Sequence, residues 1–271
     1  MTSFLIQNAT GIMTGRIGAA ARATVGSLPA RDIRVLDGVI TEVGRLTPVH
    51  GERIYDATDC VVYPGWVNTH HHLFQSLLKG VPAGINVALF PWLTAVPIRY
   101  RRFVNEENLR LAATIGIAEL LLSGCTTIAD HNYCYWPGMD FDGSQLLFDV
   151  AEQFGVRFML LRGGATKVRS EDKDAPPQAA PETVEQMLTS VGRDVAKFHQ
   201  PGGDAMRKMA LAPSTPTWST HPHELPELAR GARKMGIMLH SHLSETADYV
   251  TYCREVHDTT PVEFVERHEW I

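Results

Sequence analysis

The chain has 271 residues, of which 44% are apolar and 20% charged, and its formal net charge is −5. This composition is typical of a soluble globular protein, and its mildly acidic balance gives no electrostatic basis for binding nucleic acid or an anionic membrane. No apolar run approaches the ~20 residues of a membrane span, and the N-terminus lacks the features of a secretory signal. The four cysteines show no paired spacing, which favours reduced thiols in a cytoplasm.

The N-terminal region is predicted to be rich in β-strands. Residues 3–62 contain short apolar segments and no long helical stripe, which predicts a small antiparallel layer. The pair Asp37-Gly38 is typical of the tight turn of a β-hairpin. We place this layer at residues 1–61, as part of a composite β-sandwich, and expect a second domain at 62–271.

From residue 61 onward, predicted strands and helices alternate. The predicted strands are 61–70, 125–130, 156–164, 206–214 and 237–245. The predicted helices are 106–124, 143–155, 181–198 and 223–236, with shorter helical stretches near 246–256 and 260–268. Alternation of this kind predicts a parallel sheet with right-handed crossovers.

The five strands predict an α/β fold, a (β/α)8 barrel of the TIM type of which about five units are present. Eight units need roughly 250 residues, and only 26 residues follow Glu245, so three further units do not fit. Either the chain is a fragment of a longer protein or another chain completes the barrel. An open doubly wound sheet is the alternative, disfavoured because no glycine-rich nucleotide loop follows the first strand.

Three consecutive histidines follow the first predicted strand of the barrel, in the stretch PGWVNTHHHLFQ. Alternate residues of a strand face the same side, so His70 and His72 are predicted to point together while His71 points away. Imidazole nitrogens bind Zn²⁺ at ~2.0–2.1 Å, and the active sites of barrels lie at the carboxyl ends of strands. Taken alone, the motif is equally compatible with a hydrated polar turn.

A second histidine motif, HSHLSE, ends the fifth predicted strand. His240 and His242 share a face of that strand, and Glu245 follows in the loop. A hydrolytic zinc centre needs ligands from different strands and a carboxylate that moves protons without binding the metal. His242 and Glu245 fit these two roles. The alternative for Glu245 is an acidic residue placed near a helix N-terminus.

Three other residues are candidates for binding a substrate. Arg162 ends the third strand, where its donor fork suits a carbonyl or ring oxygen, and an ion pair on the barrel rim is the alternative. His131 ends the second strand, where it either lines the pocket or serves as a satisfied polar residue. Gln75 is placed to hydrogen-bond the edge of a heterocycle. The remaining H-x-H pair, His221 and His223, is interpreted as a helix start.

These motifs resemble the amidohydrolase superfamily, in the branch of aminohydrolases that act on purines, pterins and triazines. The resemblance covers the whole chain and rests on the segments PGWVNTHHHLFQSLLKG, LLLSGCTTIADHNY, LLRGGAT and HSHLSET. The run from HHLFQSLLKG to PWL resembles the isoxanthopterin deaminases and the related 8-oxoguanine deaminases. The segments DHNYCYWPGMDFD and LLRGGATK favour the isoxanthopterin type.

The resemblance implies a set of site residues. His70 and His72 would be the metal ligands of the first strand, His242 the ligand of the fifth, and Glu245 the proton shuttle. A single divalent ion is implied, Zn²⁺ or alternatively Fe²⁺, because the fourth strand ends ALAPS without the lysine of two-metal members. The family also carries a histidine after strand six and an aspartate after strand eight, and the given chain stops at Ile271, before either.

The resemblance therefore implies a metal-dependent hydrolase that removes an exocyclic amine from a pterin or oxopurine ring, converting isoxanthopterin to violapterin and ammonia. The alternatives are an 8-oxoguanine deaminase, a triazine amino- or chlorohydrolase, or an inactive metal-binding fragment that lacks the catalytic aspartate. The expected partner is a small heterocyclic substrate, without nucleic acid or membrane. A cytoplasmic homodimer is the assembly that the resemblance implies.

Overall fold

The structure is a computed structural model that describes residues 3–15, 27–28, 31–167 and 180–271. The chain divides into two compact units, Met1–Gly65 and Trp66–Ile271. From the sequence, the boundary was placed between residues 61 and 62. Within the described ranges, no helix combines the length and the apolar character needed to cross a membrane.

The first unit consists of short strands in two sheets. In chain order the strands are β1 (Ser3–Gln7), β2 (Gly11–Met13), β3 (Ser27–Leu28), β4 (Asp32–Leu36), β5 (Val39–Gly44), β6 (Arg53–Asp56) and β7 (Val61–Val62). One sheet has the order β5-β4-β1-β6 and the other has the order β3-β2-β7. Buried apolar side chains form the core of this unit: Ala9, Ile12, Ile33, Val35 and Ala57.

The predicted hairpin at Asp37-Gly38 is confirmed. β4 and β5 pair antiparallel, and the φ angles of Asp37 and Gly38 are 47° and 81°, as a two-residue hairpin turn requires. The predicted antiparallel layer is wrong in part, because β6 is parallel to β1 and β7 is parallel to β2. Strands joined by long connections are free of the hairpin constraint and can pair in parallel.

The second unit is an α/β structure built on a five-stranded parallel sheet. Its strands are β8 (Trp66–His71), β9 (Cys125–Asn132), β10 (Arg157–Arg162), β11 (Arg207–Leu211) and β12 (Met238–Leu239). The sheet order β12-β11-β10-β9-β8 follows the chain order without interruption, and all the pairings are parallel. This sequential order is that of a barrel wall, whereas a doubly wound sheet reverses its order at a switch point.

Helices connect the strands of the second unit. They are α1 (Leu89–Leu93), α2 (Glu106–Leu122), α3 (Gly143–Phe154), α4 (Val184–Phe198), α5 (Leu225–Lys234), α6 (Ala247–His257) and α7 (Pro261–Arg267). The strand predicted at 61–70 is instead split between the two units, because Pro64-Gly65 interrupts it. The strand predicted at 237–245 is reduced to Met238–Leu239, so His242 lies in the loop beyond it.

Apolar side chains are buried in the core of the second unit and exposed on its outer strands. Ile117 of α2 and Leu147 of α3 are fully buried in one cluster that joins helices and sheet. On the outer strand β8, the exposed fractions of Trp66 and Val67 are 59% and 62%, and on the outer strand β12 that of Met238 is 55%. Outer strands have neighbours on one side only, so apolar side chains there keep contact with water.

The start of α4 generates a stability prediction. Thr183 Oγ1 accepts a hydrogen bond from the Gln186 N–H at 3.1 Å, and the Gln186 side chain accepts one from the Thr183 N–H at 2.8 Å. We predict that Thr183→Ala lowers the free energy of unfolding in urea by about 1 kcal/mol. Thr251→Ala, at an exposed position inside α6, is the control and changes it by less than about 0.5 kcal/mol. Equal losses in the two variants would contradict the capping role.

Candidate metal centre

Three histidine rings converge at the carboxyl end of the parallel sheet. The Nε2 atom of His70 lies 3.3 Å from that of His72 and 3.0 Å from that of His242. The Nε2 atoms of His72 and His242 are 3.2 Å apart. His70 is the last residue but one of β8, His72 directly follows that strand, and His242 lies in the loop after β12. The structure thus brings together the three residues that were selected as metal ligands from the sequence.

This triangle of nitrogens fits a tetrahedral metal ion. Zn²⁺ binds imidazole nitrogens at ~2.0–2.1 Å, which places two ligand nitrogens ~3.3–3.4 Å apart at the tetrahedral angle. The observed separations of 3.0, 3.2 and 3.3 Å lie within a few tenths of an ångström of that value. Three imidazoles leave a fourth position for water, which is the arrangement of catalytic zinc sites.

Backbone carbonyls set the tautomers of two of these rings. The Nδ1–H of His72 donates to the carbonyl oxygen of His131 at 2.7 Å. The Nδ1–H of His242 donates to the carbonyl oxygen of Ser214 at 2.6 Å. Because the proton is held on Nδ1, the lone pair is on Nε2, where the three rings meet.

The backbone at the first histidine motif departs from a regular strand. The pairing passes from Asn68 to His71 on β8 while β9 advances by only two residues. The side-chain oxygen of Asn68 accepts a hydrogen bond from the His70 N–H at 2.9 Å, and β8 ends before His72. The predicted pair of ligands is therefore aligned by a bulge and a turn, and the simple strand alternation used to select the pair is wrong here.

Burial favours the neutral form of His72, His131 and His240. Burial lowers the pKa of His72 to about 3 and that of His240 to about 4, with the neighbouring rings acting in the same direction. The pKa of His131 is lowered well below its ordinary value, again chiefly by burial. Neutral imidazole is the form that binds a metal ion.

His131 lies buried against the ligand rings. Its side chain has no exposed surface, its Nε2–H donates to the carbonyl oxygen of Ala212 at 2.9 Å, and its ring stacks on that of His242 with 4.5 Å between centroids. Its Nδ1 has no hydrogen-bond partner among the described residues, so the alternative of a satisfied polar residue is met only at Nε2. The predicted substrate contact of His131 stays a prediction.

Arg162 forms a buried ion pair. Its side chain is almost fully buried, and its two terminal nitrogens donate to the carboxylate of Glu182 at 2.5 and 2.7 Å. The guanidinium also lies over the ring of Tyr135 at 3.9 Å. The predicted contact with a substrate oxygen is therefore replaced by the ion pair that was its alternative, with the difference that this pair is buried.

Gln75 lies at a cavity of about 350 Å³ beside the histidines, which is also lined by His70, His72 and Trp92. Its Nε2 donates a hydrogen bond to the hydroxyl of Tyr133 at 2.8 Å, which fixes the orientation of the amide. Aromatic walls with a few oriented polar groups are typical of pockets for small planar ligands. Gln75 therefore lies beside the histidine rings, and its contact with a substrate stays a prediction.

Glu245 is exposed and makes no hydrogen bond or ion pair to any residue that the structure describes. It directly precedes Thr246, the N-cap of α6, whose Oγ1 accepts a hydrogen bond from the Tyr249 N–H at 3.2 Å. Ser244 on its other side has a φ of 56°. The backbone on both sides of Glu245 is thus defined, while its side chain is exposed.

Several groups that shape the site leave little or no signal in the sequence. The carbonyls of His131 and Ser214 carry no signal in residue type, because every residue has one. Asn68 did carry a usable signal, since asparagine side chains often accept a hydrogen bond from the backbone N–H two residues on. That contact would have predicted the irregular backbone at His70.

Comparison with known sequences identifies related proteins. The model of the amidohydrolase family matches residues 61–269. The chain is 49% identical over 269 residues to an isoxanthopterin deaminase from an unknown prokaryotic organism, covering 99% of the chain and 55% of that relative. It is 34% identical over 252 residues to an 8-oxoguanine deaminase from Pseudomonas aeruginosa, covering 89% of the chain and 55% of that relative. The chain therefore spans about half the length of these relatives.

Comparison with solved structures gives a similar result. The chain resembles the crystal structure of an amidohydrolase from an environmental sample of the Sargasso sea, with a TM-score of 0.84 and 44% sequence identity. The match covers 99% of this chain and 56% of that one. The fold of the described residues is thus that of an amidohydrolase over nearly the whole chain.

The histidine triangle generates a metal-binding prediction. We predict that the chain binds one Zn²⁺ ion and that His242→Ala weakens binding by at least about 100-fold, because one of three ligands is lost. The measurement is competition with a chelating dye. His223→Ala is the matched control, since it belongs to another H-x-H pair whose rings stack on each other, and it leaves the affinity unchanged. Equal affinities in the two variants would exclude His242 as a ligand.

The pKa values generate a pH prediction for the metal-free chain. Unfolded histidines titrate near 6.5, whereas folding lowers the pKa of His240 to about 4. Between these values the unfolded state binds more protons, so the free energy of unfolding decreases as the pH falls, by up to about 1.4 kcal/mol per pH unit for each such histidine. Burial raises the pKa of Asp130 to about 7. The folded state then binds this proton more tightly than the unfolded state, so Asp130 makes the free energy of unfolding increase as the pH falls. Its contribution offsets that of one histidine.

We therefore expect His240→Asn to reduce this pH dependence by up to about 1.4 kcal/mol per pH unit between pH 6 and 4.5. Urea unfolding at several pH values measures the slope in both proteins. An unchanged slope in the variant would show that His240 does not resist protonation in the folded state.

Proposed function

Because the chain belongs to the amidohydrolase family, we propose that it carries the metal centre of a hydrolytic deaminase that acts on a pterin or purine ring. The proposed reaction converts isoxanthopterin and water to violapterin and ammonia. The observation that carries this proposal is the triangle of three imidazole nitrogens, with sides of 3.0, 3.2 and 3.3 Å. The 49% identity to an isoxanthopterin deaminase supports the choice of substrate.

His70, His72 and His242 would hold one divalent ion through their Nε2 atoms. Histidine ligands suit Zn²⁺, and Fe²⁺ is the second choice. When bound, such an ion supplies Lewis acidity and lowers the pKa of a coordinated water toward ~7. The carbonyls of His131 and Ser214 keep two of the three rings in the tautomer that can bind it.

Glu245 is the proposed proton carrier of the reaction. Its carboxylate takes a proton from the attacking water and passes it to the ring nitrogen next to the reacting carbon. It then moves the proton of the new hydroxyl to the amino group, which leaves as ammonia when the C–N bond breaks and the C=O bond forms. The exposed position without a competing hydrogen bond suits this exchange. General acid–base catalysis by a placed carboxylate contributes typically 10²–10⁴-fold to a rate.

Gln75 and Trp92 are the proposed substrate contacts, because both line the cavity beside the histidines. The amide of Gln75, held by Tyr133, would hydrogen-bond the edge of the ring. Arg162 would act at a distance, by bracing the end of β10 through its ion pair with Glu182. An 8-oxoguanine substrate is the second candidate, favoured by the 34% identity to an 8-oxoguanine deaminase.

We also propose that the five parallel strands belong to a (β/α)8 barrel. The uninterrupted sheet order supports this, because strands of a barrel wall follow one another in chain order. The position of the histidine triangle at the carboxyl ends of the strands agrees with the location of active sites in such barrels.

The test of the proposed reaction measures ammonia release from isoxanthopterin, 8-oxoguanine and hydroxylated triazines, with the metal-loaded chain and with any longer protein that contains it. We expect isoxanthopterin to be turned over fastest. Glu245→Gln is expected to lower the rate at least about 100-fold without loss of metal. Glu255→Gln, exposed on α6, is the control with full activity. Absence of turnover in every form and with every substrate would refute the proposed reaction.

A further inference from the structure

Asp130 near the end of β9 is a buried acid that the proposed reaction does not use. Its side chain has no exposed surface. One carboxylate oxygen, Oδ2, has no hydrogen-bond partner among the described residues. Burial raises the pKa of this carboxyl to about 7. Since a buried polar group without a full set of partners is costly, its presence calls for a specific role.

The other oxygen of Asp130 makes one contact, and this contact lies next to a proposed metal ligand. Oδ1 accepts a hydrogen bond from the Leu73 N–H at 2.7 Å. Leu73 begins a 3-10 helix, Leu73–Leu78, whose preceding residue is His72. The carboxylate of Asp130 therefore holds the peptide unit that joins His72 to this helix.

The residue after Asp130 contacts the same ligand from a second direction. The His131 carbonyl accepts the Nδ1–H of His72 at 2.7 Å. Two adjacent residues of β9 thus hold the backbone and the ring of His72 respectively. Two fixed points determine the direction of a short side chain, here the direction of the His72 Nε2 atom.

The need for such support follows from the irregular pairing of β8 with β9. The ladder shifts register between Asn68 and His71, so regular strand hydrogen bonds do not define the backbone at His72. On the side of α2, Gly116 packs so closely that a Cβ there would lie 2.6 Å from Leu73 Cδ2. Leu73 is thus confined by packing on one side and by the Asp130 hydrogen bond on the other.

We propose that Asp130 is a positioning residue of the metal centre, which holds the Leu73 N–H and thereby aims the Nε2 of His72 at the metal. This inference rests on the proposed function, because it presupposes that the histidine triangle binds a metal ion. What matters in this role is the position of the acceptor oxygen. The negative charge of the carboxylate is not required for this role. A substitution that removes the charge and one that moves the oxygen therefore have different effects on metal binding.

Three substitutions at this residue separate position from charge. Asp130→Asn keeps an acceptor oxygen in place and removes the charge, and we expect its Zn²⁺ dissociation constant to stay within ~3-fold of the unaltered chain. Asp130→Ala removes the acceptor, and Asp130→Glu displaces it by one methylene, ~1.5 Å. Both are expected to weaken Zn²⁺ binding by ~10–100-fold, the range found when supports of metal ligands are lost.

The matched control is Asp32→Ala. Asp32 is also buried, and its two oxygens accept hydrogen bonds from the backbone N–H groups of Asn8 and Leu46. It lies in the first unit. Its loss is therefore expected to lower the thermal midpoint while Zn²⁺ affinity stays within ~3-fold. Affinity is measured by chelator competition, and the visible absorption of bound Co²⁺ reports the ligand geometry.

The outcomes distinguish this inference from the proposed function. Weakened binding in Asp130→Glu and Asp130→Ala, with near-normal binding and an unchanged Co²⁺ spectrum in Asp130→Asn, supports the inference. If Asp130→Ala does not fold, the Asn and Glu variants decide. Normal affinity in Asp130→Glu, or an equal loss in the Asn and Glu variants, overturns the inference alone. A chain without substitutions that binds neither Zn²⁺ nor Co²⁺ overturns the proposed function and this inference with it.

Discussion

Three imidazole nitrogens within 3.3 Å of one another must all remain unprotonated for this centre to exist. A proton on any Nε2 would put a positive charge against two neighbouring rings in a partly desolvated site. The structure meets this constraint at His72 and His242 in two ways. Burial lowers the pKa of His72 to about 3, and backbone carbonyls hold the proton of two rings on the far nitrogen. The stacked ring of His131 and the hydrogen bond of Asp130 to the Leu73 N–H give His242 and His72 further support.

The support comes from several strands of the sheet. β9 contributes the His131 carbonyl to His72, and the loop after β11 contributes the Ser214 carbonyl to His242. The stacked ring of His131 lies against His242. His72 and His242 lie outside regular strands. Their rings are nevertheless held by groups on or next to strands that are hydrogen-bonded to one another in one parallel sheet. A site anchored this way is preorganised for its ion.

Much of this arrangement was predictable from the sequence, and the limits have physical reasons. The alternation of apolar strands and amphipathic helices sufficed for the parallel sheet. Two of the three H-x-H motifs sufficed to predict that His70, His72 and His242 lie together, and their role as ligands stays a prediction. Arg162 and His131 were assigned to a substrate because residue type shows a donor but does not show what lies opposite it. The ion pair of Arg162 joins residues 20 positions apart, and such tertiary contacts leave no local pattern in a single sequence.

His70 and His72 meet as the sequence predicts, although the strand that carries them is irregular. Period-two alternation selected His70 and His72, yet the ladder is irregular between Asn68 and His71. At this irregular point the side-chain oxygen of Asn68 accepts a hydrogen bond from the His70 N–H, and the Nε2 atoms of His70 and His72 still lie 3.3 Å apart. Hydrophobic periodicity cannot reveal this, since it reports the average geometry of a strand and not a local hydrogen bond to one peptide group.

The exposed outer strands of the parallel sheet have a consequence for how the chain behaves in solution. Trp66 and Val67 on β8 and Met238 on β12 expose more than half of their surface, whereas strands of parallel sheets are usually covered on both faces. Any segment that adds a parallel strand at either margin gains backbone hydrogen bonds and apolar contact together. The two margins of this sheet are therefore the part of the second unit where an added strand would remove the most apolar side-chain surface from water.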